Sequence, residues 1–103
     1  MHKINEQYLN NLFDAIVSVE NREECRRFFL DLFTYPELES MAQRLEVARL
    51  LNEGNSYANI NRETTASTAT ICRVSKCLNY GEGGYAQILE KLGKLENELR
   101  KDT

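Results

Sequence analysis

Between Ser56 and Leu78 the chain reads S-Y-A-N-I-N-R-E-T-T-A-S-T-A-T-I-C-R-V-S-K-C-L, and this stretch holds the residues best suited to chemistry. Its second half sets Ser67, Thr68, Ala69, Thr70, Arg73 and Lys76 among the spaced apolar residues Ile71, Val74 and Leu78. Hydroxyls can bond base edges or phosphate oxygens, Arg and Lys can reach guanine or phosphate, and small residues at a helix start permit close approach. Ser56, Tyr57 and Arg62 in the first half are suited to bonding a flanking phosphate backbone. The chemistry implied is recognition of double-stranded DNA. A solvated helix face accounts for any one of these residues; their combination is what is specific.

No comparable arrangement points to catalysis. The only histidine is His2, the carboxylates are scattered, and no Gly-rich phosphate loop is present, so no acid–base or nucleophile pair can be named and no enzyme is expected. Glu20, Glu23 and Glu24 read as helix-end and capping charges. The cysteines, Cys25, Cys72 and Cys77, are odd in number and lack C-x-x-C spacing, so neither a metal site nor a cofactor is expected. On one helix Cys72 and Cys77 would lie about 140° apart, too far round to pair. Buried or half-buried reduced thiols are expected.

The elements that must carry the segment are helical. Ile4, Tyr8, Leu9, Leu12, Phe13, Ile16 and Val17 recur at three and four, predicting a helix between Ile4 and Val19. Asn21, three before Glu24, has capping-box spacing, and a second helix should run to about Phe33 with Phe28, Phe29, Leu32 and Phe33 inward. Thr34 and Glu37 repeat that signal around the only proline, Pro36. A third helix is predicted from Pro36 to Glu53, with Leu38, Met41, Leu45, Ala48 and Leu50 or Leu51 buried and Gly54 as its left-handed stop.

Ser56 then caps a short helix to about Glu63, Thr64-Thr65-Ala66 connects, and Ser67 caps a helix from Thr68 to about Leu78. Two short helices joined by a tight turn are the helix-turn-helix unit, with Ile60, Ala66, Ile71, Val74 and Leu78 as its packing residues. After Gly81, Gly83 and Gly84 a last helix carries Tyr85, Ile88, Leu89, Leu92, Leu95 and Leu99, a stripe fit for a core or a dimer seam. Nothing alternates as a strand would. The fold class expected is all-α, about six helices.

At 103 residues the chain is expected to form one domain spanning 1–103, small enough that a second copy would supply part of its core. No apolar run approaches a membrane span and the start carries no signal-peptide hydrophobic region, so a cytoplasmic protein without a membrane partner is expected. The formal charge of -3 argues against a nucleic-acid partner until its distribution is read: from Ser56 to Tyr80, Arg62, Arg73 and Lys76 stand against Glu63 alone. So small an excess calls for two copies and for uncharged phosphate contacts.

The run A-S-T-A-T-I-C-R-V from Ala66 to Val74, with L-N-Y-G from Leu78 to Gly81 and F-T-Y-P-E-L-E-S-M-A-Q-R from Phe33 to Arg44, resembles the tryptophan-repressor family. Within it the YerC/YecD-type branch is the most similar. The likeness runs from about Leu30 to Leu92. It implies a TrpR-like, intertwined homodimer whose recognition helix enters the major groove of an operator, with half-sites about one helical turn apart.

The family's repressor proper holds L-tryptophan with an arginine from the central helix and one from the recognition helix. Those positions resemble Arg44 and Arg73, with Thr34 and Thr70 at lining positions. Two departures follow. Val74 stands where the repressor leaves room for the indole with a glycine, and Cys77 stands where a serine touches the ligand. A valine there should exclude the ring, so DNA binding without L-tryptophan as co-repressor is expected and no other small-molecule effector is named. Thr65 also replaces the turn's usual glycine and Asn61 a small residue, which implies either a reshaped turn or weak DNA binding. The acidic total and that turn keep a second reading open, a helical interaction module that retains the helix-turn-helix for packing.

Overall fold

The computed structural model describes residues 3–101. It contains α1 (Glu6–Val17), α2 (Arg22–Leu32), α3 (Tyr35–Asn52), α4 (Tyr57–Thr64), α5 (Thr68–Tyr80) and α6 (Gly84–Lys101), with no strand among the described residues. The all-α, six-helix expectation therefore holds. Two compact units divide the chain, Met1–Leu38 and Glu39–Thr103.

In the first unit side-chain caps set the boundaries. Asn5 accepts the Tyr8 N–H at 3.1 Å, so α1 begins after Ile4 rather than with it. Asn21 accepts the Glu24 N–H at 2.8 Å, and Glu24 reaches back to the N–H of Glu20 at 3.3 Å, one residue earlier than a standard capping box. Phe29 stacks near Phe28 and Phe33, with centroids 6.0 and 5.2 Å apart, and all three rings are half-buried. Leu32, expected inward with them, is 47% exposed. Neither α1 nor α2 contains a buried residue, and Tyr8 (73%) and Val17 (82%) stand in the open.

Thr34 and Glu37 form the reciprocal box expected of them: Thr34 Oγ1 accepts the Glu37 N–H at 3.2 Å and Glu37 Oε1 accepts the Thr34 N–H at 2.8 Å. The bond from the Thr34 N–H, and after it one from the Thr34 side chain, hold the Glu37 carboxyl below its usual range. At the other end of α3, Gly54 takes φ +88°, and the Asn55 N–H bonds the Leu50 carbonyl at 3.1 Å, closing the helix as predicted.

The second unit holds the core: Val47, Ala48, Leu50, Ile60, Ala66, Ile71, Val74 and Leu89, with Leu51, Leu78 and Tyr85 packed against it. Each large apolar side chain fully withdrawn from water there contributes about 1.5–3 kcal/mol. The helix-turn-helix packing residues fall where the periodicity put them. In α3 the stripe is corrected: Val47, absent from the expected set, is fully buried, while Leu45 is 40% exposed. Apolar residues surround much of α3 (Met41, Ala42, Leu45, Val47, Ala48, Leu50, Leu51), so spacing within the helix could not select one face.

Candidate nucleic-acid interface

Ser56 and Ser67 open the two helices of the motif. Ser56 Oγ accepts the Asn59 N–H at 3.2 Å, and Ser67 Oγ accepts the Thr70 N–H at 3.1 Å. Each cap satisfies a free helix N–H, and the second leaves Ser67, Thr68 and Ala69 exposed at the head of α5. From there Ala69, Arg73 and Lys76 follow at four and three along one exposed face. Tyr57 and Arg62 are exposed on α4, where Arg62 donates to Asn59 Oδ1 at 2.6 Å. Thr70 differs from the other expected contacts. It is half-buried, and its hydroxyl accepts from that of Ser67 at 3.1 Å.

The ion pairs among the described residues are Arg27–Glu23, Arg49 with Glu46 and Glu53, and Lys94–Glu90. Arg62, Arg73 and Lys76 are in none of them, so the cations of the basic stretch are not neutralised by neighbouring carboxylates.

The turn is not reshaped. Thr65 takes the left-handed conformation at φ 60°, ψ 9°, the same hand a glycine would take, and its N–H bonds the Asn61 carbonyl at 2.9 Å. The Asn61 side chain donates to the Ala66 carbonyl at 2.7 Å. Thr64 Oγ1 donates to the Ile60 carbonyl at 2.7 Å and accepts the Ala66 N–H at 3.1 Å, while Gln43 of α3 donates to the Thr64 carbonyl at 3.1 Å. Sequence reading singled out Asn61 and Thr65 only as departures, placed Thr64 in the connector without a role, and missed Gln43. The polar residues clustered at the turn were the available signal.

A cavity of about 230 Å³ opens beside α5, lined by Arg44, Arg73, Val74, Cys77 and Tyr85. Four of the positions likened to ligand-pocket residues are thus brought together, and Tyr85 joins them without having been foreseen. Thr70 does not line it, and Thr34 caps α3 in the other unit. Val74 is 1% exposed, so its side chain is committed to packing, and the space left is below the ~300 Å³ at which small-molecule pockets usually begin.

A larger apolar groove of about 540 Å³ adjoins it, lined by Leu45, Cys77, Gly81, Glu82, Gly84, Tyr85 and Ile88. A Cβ at Gly81 would collide with the Cys77 carbonyl oxygen, which is why the turn after α5 needs glycine there. Cys72 and Cys77 are exposed and Cys25 is half-buried, correcting the expectation for the first two. Ile71, Val74 and Leu78 take the inward face of α5, and each exposed thiol lies beside it rather than on it. Among the described residues no group of side chains could hold a metal ion, and no helix is long and apolar enough to cross a membrane.

Comparison with known proteins matches residues 7–93 to the family model described as Trp repressor protein. A relative in Bacillus subtilis (strain 168), the uncharacterized protein YerC, is 52% identical over 96 residues, covering 93% of this chain and 92% of its own. A crystal structure of a candidate Trp repressor from Staphylococcus aureus superposes with a TM-score of 0.82 at 48% identity, covering 84% of this chain and 87% of the other. A TrpR-like protein from Eubacterium eligens ATCC 27750 gives the same TM-score of 0.82 at 46% identity, with coverages of 84% and 90%.

Proposed function

Because the chain belongs to the Trp repressor family, we propose that it is a sequence-specific DNA-binding transcriptional regulator, acting as a repressor in the cytoplasm. The observation that carries this is the exposed face of α5, where Ser67, Thr68 and Ala69 lead into Arg73 and Lys76 and, among the described residues, no carboxylate pairs with either cation. Ser67, Thr68 and Ala69 lie nearest the bases. Arg73 and Lys76 contact phosphate or the groove edge, with Thr70 in a lesser share, and Ser56, Tyr57 and Arg62 bond the flanking backbone.

The working unit is a homodimer in which the whole chain acts as one domain. The exposed apolar residues support it: Tyr8, Phe13 and Val17 on α1, and Leu45 and Ile88 beside the groove. Such a surface favours burial against a second copy, and two motifs read two half-sites where one contacts too few bases. We take L-tryptophan not to be its co-repressor; the reading is supported by a buried Val74 in the wall of the cavity that Arg44 and Arg73 line, where a bulky ring would need room.

The test is selection of genomic DNA fragments by the purified protein at two salt concentrations. Enrichment of a two-fold-symmetric site, with affinity falling steeply as salt rises, is the expected result. Absence of enrichment at low salt would reject this function in favour of a protein partner, the reading that the net charge of -3 favours.

A further inference from the structure

We propose that Asn61 is a positioning residue for DNA reading, acting through the peptide groups of Ala66; the inference rests on the DNA-binding function above. Ala66 is 1% exposed and stands between the left-handed Thr65 and the N-cap Ser67. Side chains at the end of α4 hold both of its backbone polar groups. Asn61 Nδ2 donates to its carbonyl at 2.7 Å and Thr64 Oγ1 accepts its N–H at 3.1 Å. Thr64 is itself tied down: its hydroxyl donates to Ile60 and its carbonyl accepts from Gln43 of α3. Buried peptide groups need partners, so the Ala66 peptides cannot rotate without losing these bonds. Ser67, Thr68 and Ala69 follow directly, and the orientation of Ala66 sets the direction in which they face a groove.

The two departures of the turn answer each other. A β-branched residue at positive φ persists only where its surroundings over-determine it, and the Asn61–Ala66 bond closes the turn across Thr65 from the outside. With glycine at position 65 the left-handed backbone carries no strain, and a small residue at 61 then suffices. Asn61 and Thr65 form a coupled pair, and the lock at 61 matters most because of the threonine.

The experiment measures affinity for a selected site and for unrelated DNA in the wild type, Asn61→Ala, Asn61→Ser, Thr65→Gly and the Asn61→Ala/Thr65→Gly double variant, with folding followed by circular dichroism. Asn61→Ala should lose about tenfold on the selected site, equivalent to one lost hydrogen bond. Affinity for unrelated DNA and the salt slope should stay unchanged, and the double variant should return to within about twofold of wild type. Asn61→Ser removes the amide donor while keeping a small polar side chain, and replaces the alanine variant if that one is unfolded. The inference is overturned if the position-61 variant binds the selected site as the wild type does, loses both kinds of DNA equally, or is not rescued by Thr65→Gly. A wild type with no sequence preference would overturn the DNA-binding function itself, and the role with it.

Discussion

Arg44 of α3 and Arg73 of α5 line one cavity, and Val74, the neighbour of the second arginine, forms part of its wall while packing into the core. On the proposed reading, a carboxylate held by these two arginines would bring an accompanying indole ring against Val74. L-Tryptophan should therefore give no heat on titration into the wild-type protein. Val74→Gly should open the cavity and admit an indole-bearing ligand, at a cost of about 2–4 kcal/mol in stability from the lost burial and the helical glycine. Micromolar tryptophan binding by the wild type would refute the steric argument.

The inward face of α5 should dominate stability. Ile71 is 1% exposed, whereas Cys72 next to it is exposed. Ile71→Ala should cost about 2–5 kcal/mol and Cys72→Ala less than about 0.5 kcal/mol, read from denaturant midpoints. Equal costs would mean that the helix is rotated from the phase described.

The capping box at Thr34 contributes a pH-dependent increment to stability. Hydrogen bonds from the Thr34 backbone and then its hydroxyl lower the pKa of Glu37 in the folded state. A depressed carboxyl stabilises the fold above its unfolded pKa, and that contribution fades as pH falls through the folded value. Glu37→Gln should therefore remove an acid-side slope in thermal stability that begins near the ordinary glutamate pKa, about 4.3. A wild-type slope retained in the variant would assign it to another carboxylate.

On DNA, Thr68 and Lys76 should separate specificity from affinity. Thr68→Ala should change preference at one position of each half-site by about tenfold. Lys76→Ala should weaken all sequences alike and reduce the salt slope by about one per protomer. If both variants bind every DNA unchanged, α5 does not face the groove.

Much of this is legible in the amino-acid sequence. Asn21, Thr34, Ser56 and Ser67 cap the helices expected of them, Gly54 ends α3, and Ile60, Ala66, Ile71 and Val74 form the centre of the core. Those signals are local: a cap bonds a backbone three residues away, and helical phase is written in spacings of three and four. The face of α3 was not legible, since apolar residues lie around much of that helix and only its neighbours decide that Val47 is inside and Leu45 is not.

The turn is the clearest case of the same division. From sequence, Asn61 and Thr65 could only be marked as ill-suited to a tight connection. That Asn61 bonds Ala66 depends on the path the turn takes through Thr65, and that Gln43 reaches Thr64, 21 residues away, depends on how α3 and α4 meet. The amino-acid sequence by itself determined six helices with the caps of four of them, their inward phases in the motif, and an exposed serine-, threonine- and arginine-bearing helix. Tertiary structure alone decided which face of α3 is buried, what holds a left-handed threonine, and that Arg44, Arg73 and Tyr85 share a cavity. Those outcomes arise from how helices and turns meet in space, which no spacing along one helix records.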